Sequence, residues 1–288
     1  MSKLICVGIT VLFSLLNVQQ AYAWFEDKTP LSRAHQMMLE KNYSAAFSSI
    51  IQVWQSENDE YFKSHLNDLL DTSLEHDCGK SLTTEPLAFW LQGVVIRRQS
   101  LQSPGRIASK LVVETSSSEK VSSITLLNKS GREISDDKSI EEDGNGRRNT
   151  YQVQYDLNQP LSAGLYKIIV ERKKGVSWSS WVVMGKEQNT QVVRWESQDS
   201  WAVDRNGLLN PYCSLPTLSA SLYDFVDDSY VRVWNREYEK NYPKRLPPGT
   251  LKPDRYVLAI SLTLKRWQGV IAIEDQQVIS KTYDISAD

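Results

Sequence analysis

The sequence predicts an α+β protein of several domains, in which an N-terminal helical domain precedes two antiparallel β-sandwich modules of the immunoglobulin or fibronectin type. Apolar residues recur with helical spacing only between residues 29 and 74, and strand-like alternation dominates after residue 106. A hairpin pattern at Leu161–Met184 recurs more weakly at Leu251–Ile273, which indicates two β-modules in tandem. The predicted divisions are a helical domain at 24–85, a first β-module at 86–195 and a second β-module at 196–288.

The first 23 residues are predicted to be a secretory signal peptide. Lys3 precedes an apolar run at Leu4–Leu16, and Ala21-Tyr22-Ala23 has the small residues of a cleavage site. The apolar run is too short to span a bilayer, which disfavours the alternative of an N-terminal membrane anchor. We therefore expect cleavage after Ala23, a periplasmic location and no membrane insertion of the mature chain.

The charge balance of the mature chain excludes two classes of partner. Removing Lys3 from the 33 basic residues leaves 32 against 35 acidic residues, a net charge of about −3. Nucleic-acid proteins depend on basic surfaces that neutralise phosphates, so no nucleic-acid partner is expected. A polybasic membrane-binding segment is disfavoured for the same reason.

Three amphipathic segments predict the helical domain. The first begins at Thr29-Pro30, a capping residue followed by the residue that suits the first helical position. The second has apolar residues at helical spacing from Tyr43 to Trp54, and the third from Tyr61 to Leu74. The spacing of the first two resembles one tetratricopeptide hairpin, but such solenoids need about three repeats. The helices are therefore expected to pack on the β part.

Short alternating segments predict the strands of both modules. Residues 136–146 are predicted to form a solvated hairpin tip, and residues 197–216 an irregular segment. Gln191–Trp195 is a strand that either closes the first module or opens the second. The other predicted strands are Val94–Ile96, Leu111–Glu114, Ser123–Leu127, Tyr151–Leu157, Leu165–Glu171, Val176–Met184, Tyr230–Asn235, Tyr256–Leu264, Val270–Glu274 and Ile279–Ile285.

Two cysteines remain after removal of the signal peptide, Cys78 and Cys213. In an oxidising compartment an even pair of cysteines predicts one disulfide, which here would join the end of the helical domain to the second β-module. Two buried free thiols are the alternative.

No constellation of reactive residues stands out, so we expect neither enzymatic activity nor a metal or other cofactor. The three histidines, His35, His65 and His76, lack the paired spacing of zinc ligands. The acidic run at 136–146 departs from the spacing of calcium-binding loops. A glycosidase-type pair of carboxylates has no fixed spacing in sequence, so a cell-wall hydrolase stays as a less favoured alternative.

Four tryptophans are the candidate binding residues. Trp178 and Trp181 have opposite parity on one predicted strand and therefore face opposite sides of its sheet. Trp195 and Trp201 flank a short polar segment. An exposed indole ring can stack on a sugar or anchor a protein partner. Burial of these rings between neighbouring domains is the alternative.

Several segments resemble an uncharacterised family of exported proteins from Vibrio-type Gram-negative bacteria, classed as a domain of unknown function. The resemblance is carried by the AYA-WFE junction at residues 21–26, the TPLSRAHQ segment at 29–36, LPPGTLKPDRYVLAI at 246–260 and RWQGVIAIE at 266–274. It implies a periplasmic protein, and some members are encoded beside envelope-stress two-component systems. The family supplies no catalytic or binding residues.

These observations together predict a non-enzymatic periplasmic interaction protein of the cell envelope that binds a protein partner. The alternative is a protein that binds a glycan or another small ligand through exposed tryptophans. The two hypotheses differ in whether the aromatic rings are accessible.

Overall fold

A computed structural model describes residues 29–56, 60–82, 85–136, 138–144, 149–187, 189–249 and 252–285. The predicted signal peptide at 1–23 lies outside the described residues. Within them the protein is mostly β, with three helices and thirteen strands. None of the three helices has the length and apolarity needed to span a bilayer.

The helices are α1 (Pro30–Leu39), α2 (Tyr43–Ser56) and α3 (Glu60–Leu74). Helix α1 begins where the sequence predicts, and the Thr29 hydroxyl accepts a hydrogen bond from the Ser32 amide at 3.1 Å. The apolar faces of the helices meet in a buried cluster that also contains Leu165 and Val183, which belong to strands. The helices therefore share their core with the β part, as predicted from the single hairpin.

Thirteen strands follow the helices, seven of them before residue 185 and six after it. The first group is β1 (Leu91–Ser103), β2 (Arg106–Ser117), β3 (Val121–Asn128), β4 (Lys138–Gly144), β5 (Asn149–Leu157), β6 (Gly164–Arg172) and β7 (Trp178–Met184). The second group is β8 (Gln191–Trp195), β9 (Trp201–Arg205), β10 (Thr217–Val226), β11 (Ser229–Tyr238), β12 (Asp254–Gln268) and β13 (Ile271–Ile285).

One eight-stranded sheet runs through both predicted modules, in the order β11-β10-β12-β13-β1-β2-β5-β4. Strand β1 pairs with β13 in parallel, from Val94 opposite Ile271 to Gln102 opposite Ile279, and the remaining neighbours are antiparallel. The backbone hydrogen bonding of the sheet therefore continues across the two sides of the predicted boundary at 195/196.

Two small sheets cover the inner face of the large sheet. The three-stranded sheet β3-β6-β7 packs over one half, where Ile96, Val153 and Ile168 belong to one buried cluster. The hairpin β8-β9 packs over the other half, where Trp201 and Leu258 belong to a second cluster. One sheet thus supports two separate hydrophobic cores.

Polar side chains from the large sheet complete the free edge of β7 between these cores. The Gln268 side-chain amide accepts a hydrogen bond from the Val183 amide at 3.0 Å and donates one to the Val183 carbonyl. Arg266 donates to the same carbonyl at 3.2 Å, and Arg98 donates to the carbonyl of Gly185 at 2.7 Å. Side chains here replace the backbone partner that an edge strand lacks.

The predicted disulfide between Cys78 and Cys213 is confirmed, with a Cα–Cα distance of 4.9 Å. It follows α3 and sits in a turn in which Cys78 and Gly79 both have positive φ, 59° and 85°. The turn is also bonded to the end of β12, because the Trp267 amide donates to the Cys78 carbonyl at 2.9 Å. Covalent and backbone contacts therefore hold the last helix against the large sheet.

Two predictions about irregular segments are wrong, and the two strands predicted at Val270–Glu274 and Ile279–Ile285 are one continuous strand, β13. The segment 197–216 contains the strand β9, which forms because its alternating residues pair with β8. The acidic run at 136–146 was expected to be a hairpin tip, yet its described part at 138–144 is β4, which pairs with β5 at the edge of the large sheet. In both cases pairing with a neighbouring strand outweighs weak local propensity.

Loss of the disulfide is expected to destabilise the protein. The bond closes a loop with a sequence separation of 135 residues, and removing a native disulfide of a secreted domain costs about 2–5 kcal/mol. Urea unfolding of the Cys78→Ser/Cys213→Ser double variant should show a free energy of unfolding lower than that of the wild type by this amount. Reductant should lower the stability of the wild type to the same level and leave the variant unchanged. A variant as stable as the oxidised wild type would contradict the structural role of the bond.

Alanine at Gly79 is expected to be far more costly than alanine at Gly105. Both glycines have positive φ, so both substitutions carry about 1–2 kcal/mol of backbone strain. A Cβ at Gly79 would lie 2.0 Å from the carbonyl oxygen of Trp267, whereas a Cβ at Gly105 meets nothing within 4 Å. In thermal unfolding, the free energy of unfolding of Gly79→Ala should be about 3 kcal/mol or more below that of Gly105→Ala. Equal losses would mean that the turn does not dock on β12.

Candidate functional site

Two of the four candidate tryptophans are buried in the cores. Trp178 is 7% exposed and its indole nitrogen donates to the carbonyl of Pro86 at 2.8 Å. Trp201 is 0% exposed and belongs to the cluster beneath the β8-β9 hairpin. Neither ring presents a face to solvent on which a sugar could stack.

The other two tryptophans are half-buried, and each has a lysine over its ring. Lys167 Nζ lies 5.6 Å from the centroid of the Trp181 ring, and Lys281 Nζ lies 4.0 Å from that of Trp195. Trp181 packs against the helical cluster, on the side of β7 opposite Trp178. The structure therefore distributes the four rings over three clusters and brings together only Trp195 and Trp201, which are cross-strand partners.

The histidines do not form a centre with other ligands. His35 and His65 bring their Nε2 atoms to 2.8 Å, and burial together with the neighbouring His65 lowers the pKa of His35. His76 stacks on Tyr43 with ring centroids 4.8 Å apart. Across the described ranges no group of three or more potential metal-ligating residues occurs.

A buried guanidinium lies where the helices, β7 and the large sheet meet. Burial lowers the pKa of Arg266 to about 10, and the nearby charge of Asp275 opposes that shift. Asp275 itself pairs with Arg98, whose Nε lies 2.6 Å from the carboxylate. This cluster docks β7 through backbone carbonyls, so its evident role is structural.

The outer face of the large sheet carries an ordered polar network. Glu274 pairs with Arg97 at 2.7 Å and with Lys265 at 3.2 Å. Gln99 donates to Gln276 at 2.7 Å, and Gln276 donates to Thr263 at 2.8 Å. These cross-strand contacts pair polar side chains of the outer face with one another.

A group of exposed apolar side chains lies at the tip of the β10-β11 hairpin, residues 224–231, which we call the finger. Strand β10 pairs with β12 only as far as Tyr223, so the finger extends beyond the third strand. Its two-residue turn, Asp227-Asp228, has φ values of 49° and 58°. Positive φ at both central residues is the geometry of a tight type I′ hairpin, which asparagine and aspartate tolerate.

Apolar side chains of the finger face solvent. Phe225 is 57% exposed and Tyr230 is 64% exposed, and their ring centroids lie 5.0 Å apart. Val226 and Val231 beside them are also exposed. The two rings contact each other but remain largely exposed, so their surface is available to a partner.

Strand β11 forms one edge of the large sheet, and no described residue pairs with its outer side. A register shift at Leu222/Tyr223 interrupts the ladder, and Arg232, Arg236 and Glu237 project from the strand. Bulges and charged side chains are the usual protection of an edge against pairing with another chain. The tip of the finger carries aspartates beside its exposed apolar side chains.

The sequence analysis did not identify the finger. It predicted the strand at Tyr230–Asn235 but no strand for β10, whose serine- and alanine-containing sequence has weak strand character. The available signal was Asp227-Asp228 between two aromatic residues, a turn pair flanked by strand-forming side chains.

The family model described as a protein of unknown function (DUF2861) matches residues 24–284. No curated protein matches the chain. Among solved structures, the chain is similar to the tandem Ig repeats of Dlar, at 10% identity and a TM-score of 0.29, covering 66% of this chain and 99% of that one. The N-terminal two-Ig module of the Drosophila receptor protein tyrosine phosphatase DLAR matches at 9% identity and a TM-score of 0.25, covering 66% of this chain and 95% of that one. Similarity this low carries no argument about function.

Acrylamide quenching should separate the accessible tryptophans from the buried ones. Trp195→Phe is expected to reduce the quenchable fraction of the fluorescence, because that ring is half-buried at the surface. Trp201→Phe and Trp178→Phe should leave the quenchable fraction unchanged, since both rings are buried. A large loss of quenching in Trp201→Phe would show that the hairpin opens in solution and would return this ring to the candidate binding residues.

Proposed function

We propose that this chain, which belongs to the DUF2861 family of proteins of unknown function, is a non-enzymatic interaction protein of the cell envelope that binds a protein partner through the finger. The observation that carries the proposal is the solvent exposure of Phe225 and Tyr230 on a hairpin tip that supports no core. Aromatic side chains are the residues that most often anchor protein interfaces.

The energetics of the finger favour binding over a structural role. Burying apolar surface gains about 25 cal/mol per Å², and Phe225 and Tyr230 retain most of their surface in the free protein. Their backbone is already fixed by the type I′ turn and by the rest of the β10-β11 ladder, so little ordering entropy opposes association. A partner that encloses the tip gains this surface at small cost.

Charge indicates the chemistry of the partner. Asp224, Asp227 and Asp228 lie at the tip, and the first basic residue of β11 is Arg232. The expected complement is an apolar cleft on a protein, rimmed by lysine or arginine. Such complementarity raises the association rate and weakens as salt increases.

The proposed location is the periplasm. It is supported by the signal-peptide pattern of residues 1–23 and by a disulfide, a bond that persists in oxidising compartments. The resemblance to exported proteins of Vibrio-type bacteria, some encoded beside envelope-stress two-component systems, agrees with a role in the envelope.

Glycan binding through the four tryptophans has less support. Trp178 and Trp201 are buried, and lysines lie over Trp181 and Trp195. The finger instead combines exposed aromatic rings with a rigid backbone.

The Phe225→Ser/Tyr230→Ser double variant is expected to lose partner binding and keep its fold. Both side chains are largely exposed, so the stability should change by less than about 1 kcal/mol. A photo-crosslinking residue at position 226 should capture the partner in the periplasm of the producing cell. With the captured protein purified, the variant should bind at least tenfold more weakly.

The control removes the same kind of surface elsewhere. Phe89→Ser/Tyr212→Ser deletes two exposed aromatic rings outside the finger and should bind like the wild type. Equal affinity of the finger variant and this control, or the absence of any crosslink from position 226, would refute the finger as the binding surface.

A further inference from the structure

A second feature, separate from the finger, is a pocket of about 640 Å³ beside the β8-β9 hairpin. Its walls are the hairpin, the segment 206–216 between β9 and β10, which we call the disulfide loop, and the segment 239–244 after β11. Pockets that bind small molecules are usually between about 300 and 1,000 Å³. The size therefore suits a single small ligand.

Part of the pocket lining is apolar. Val203 of β9 and Leu208, Leu209 and Leu215 of the disulfide loop line it. Leu208 is 96% exposed and Leu215 is also exposed, so the protein itself covers neither side chain. An apolar wall that the protein itself leaves uncovered favours a ligand with an apolar body.

Another part of the pocket lining is basic. Arg205, Lys240 and Lys244 line it, against the single acidic residue Glu239. Within the described ranges the side chains of these three cations form no ion pair. Three cations around a cavity with one acid give it a positive potential, which attracts an anionic group.

Two buried polar groups belong to the lining residues and lack a partner. The Trp201 indole N–H and the Gln191 side-chain oxygen are both inaccessible, and neither forms a hydrogen bond within the described part of the protein. Gln191 is 6% exposed and Trp201 is 0% exposed. Such buried unpaired groups are rare in native proteins, and because both atoms are inaccessible they lie beneath the pocket lining and not at its surface.

The walls of the pocket are held before any ligand binds. Cys213 ties the disulfide loop to Cys78, and the Asn210 side chain donates to the carbonyl of Leu74 at 2.9 Å. The Tyr242 hydroxyl donates to the carbonyl of Pro216, and the Trp201 amide donates to that of Lys244 at 2.9 Å. The opposite walls are therefore fixed to each other and to the core, which lowers the entropic cost of binding.

We infer that this pocket binds a small amphipathic anion: an alkyl chain or aromatic body of a size that fits the cavity, carrying one carboxylate, sulfonate or phosphate group. The apolar wall receives the body and the three cations receive the anionic group. An uncharged or cationic molecule with the same body leaves the positive charge uncompensated. The site is independent of the finger, because the two share no residue.

The test uses the oxidised full-length mature protein and two probes. 8-Anilinonaphthalene-1-sulfonate should bind with a rise in fluorescence, and dodecanoate below its micelle-forming concentration should displace it. Dodecyltrimethylammonium, which has the same chain and the opposite charge, should compete at least tenfold more weakly. Equal competition by the cation would overturn the assignment of the basic part of the lining.

Variants locate the binding. Lys240→Gln/Lys244→Gln should weaken dodecanoate binding at least fivefold, and Leu208→Ser should weaken it through the apolar wall without affecting folding, because that side chain is exposed. Lys173→Gln/Lys174→Gln, in the turn between β6 and β7, removes the same charge outside the pocket and should bind like the wild type. If the pocket variants and this control bind alike, with unchanged circular dichroism, the inference is wrong.

A vesicle experiment distinguishes a free amphiphile from a lipid surface. Phosphatidylglycerol vesicles should not sediment the protein, because the pocket is expected to enclose a single molecule. Sedimentation by these vesicles, without binding of free dodecanoate, would replace a ligand pocket with a membrane-docking surface and overturn the proposal.

Discussion

The parallel pairing of β1 with β13 is the interaction on which the rest of the structure depends. It joins Val94–Gln102, at the start of the β part, to Ile271–Ile279, near the end of the chain. Without this pairing the large sheet would be two separate sheets, each packed against its own small sheet and each with its own edge strands. Bringing strands so distant in sequence together costs loop-closure entropy, which must be offset by the two cores that form on the inner face. The disulfide and the turn at Gly79 reinforce the same long-range closure from the helical side.

Between the two cores the inner face is polar, and this zone determines how the layers fit together. Arg98 pairs with Asp275 across β1 and β13, and Arg266 and Gln268 bond the backbone of β7. Buried charges rarely add much net stability, but breaking their contacts is costly, so they select one arrangement over others. A displaced β7 would leave Arg266 and Gln268 without their acceptors. The polar zone therefore specifies the position of the three-stranded sheet β3-β6-β7, while the apolar clusters supply most of the stabilisation.

Both candidate binding features lie where the chain leaves this framework. The finger is the part of the β10-β11 ladder that extends past β12, and the pocket is enclosed by two connecting segments that pack beside β9. Each combines a rigid base with exposed apolar surface: a type I′ turn above a sheet in one case, and a disulfide-tethered loop in the other. Functional side chains commonly lie on loops that a rigid scaffold positions. The polar outer face of the large sheet, by contrast, satisfies its side chains internally.

The sequence by itself determined the local elements and the cysteine pairing. The periodicity of apolar residues predicted all three helices and most strands, and the sequence Thr29-Pro30 predicted the cap. Such patterns depend only on nearby residues that lie on the same face of one helix or strand. An even cysteine count led to the disulfide. Only the tertiary structure decided that β1 pairs with β13, that Trp178 and Trp201 are buried, and that Phe225 and Tyr230 are exposed. The alternation of apolar and polar residues along a strand shows that the strand has two different faces. It does not show which strand lies beside it or what covers each face. Those outcomes depend on contacts between residues far apart in the chain, and their free energies do not appear in any local pattern.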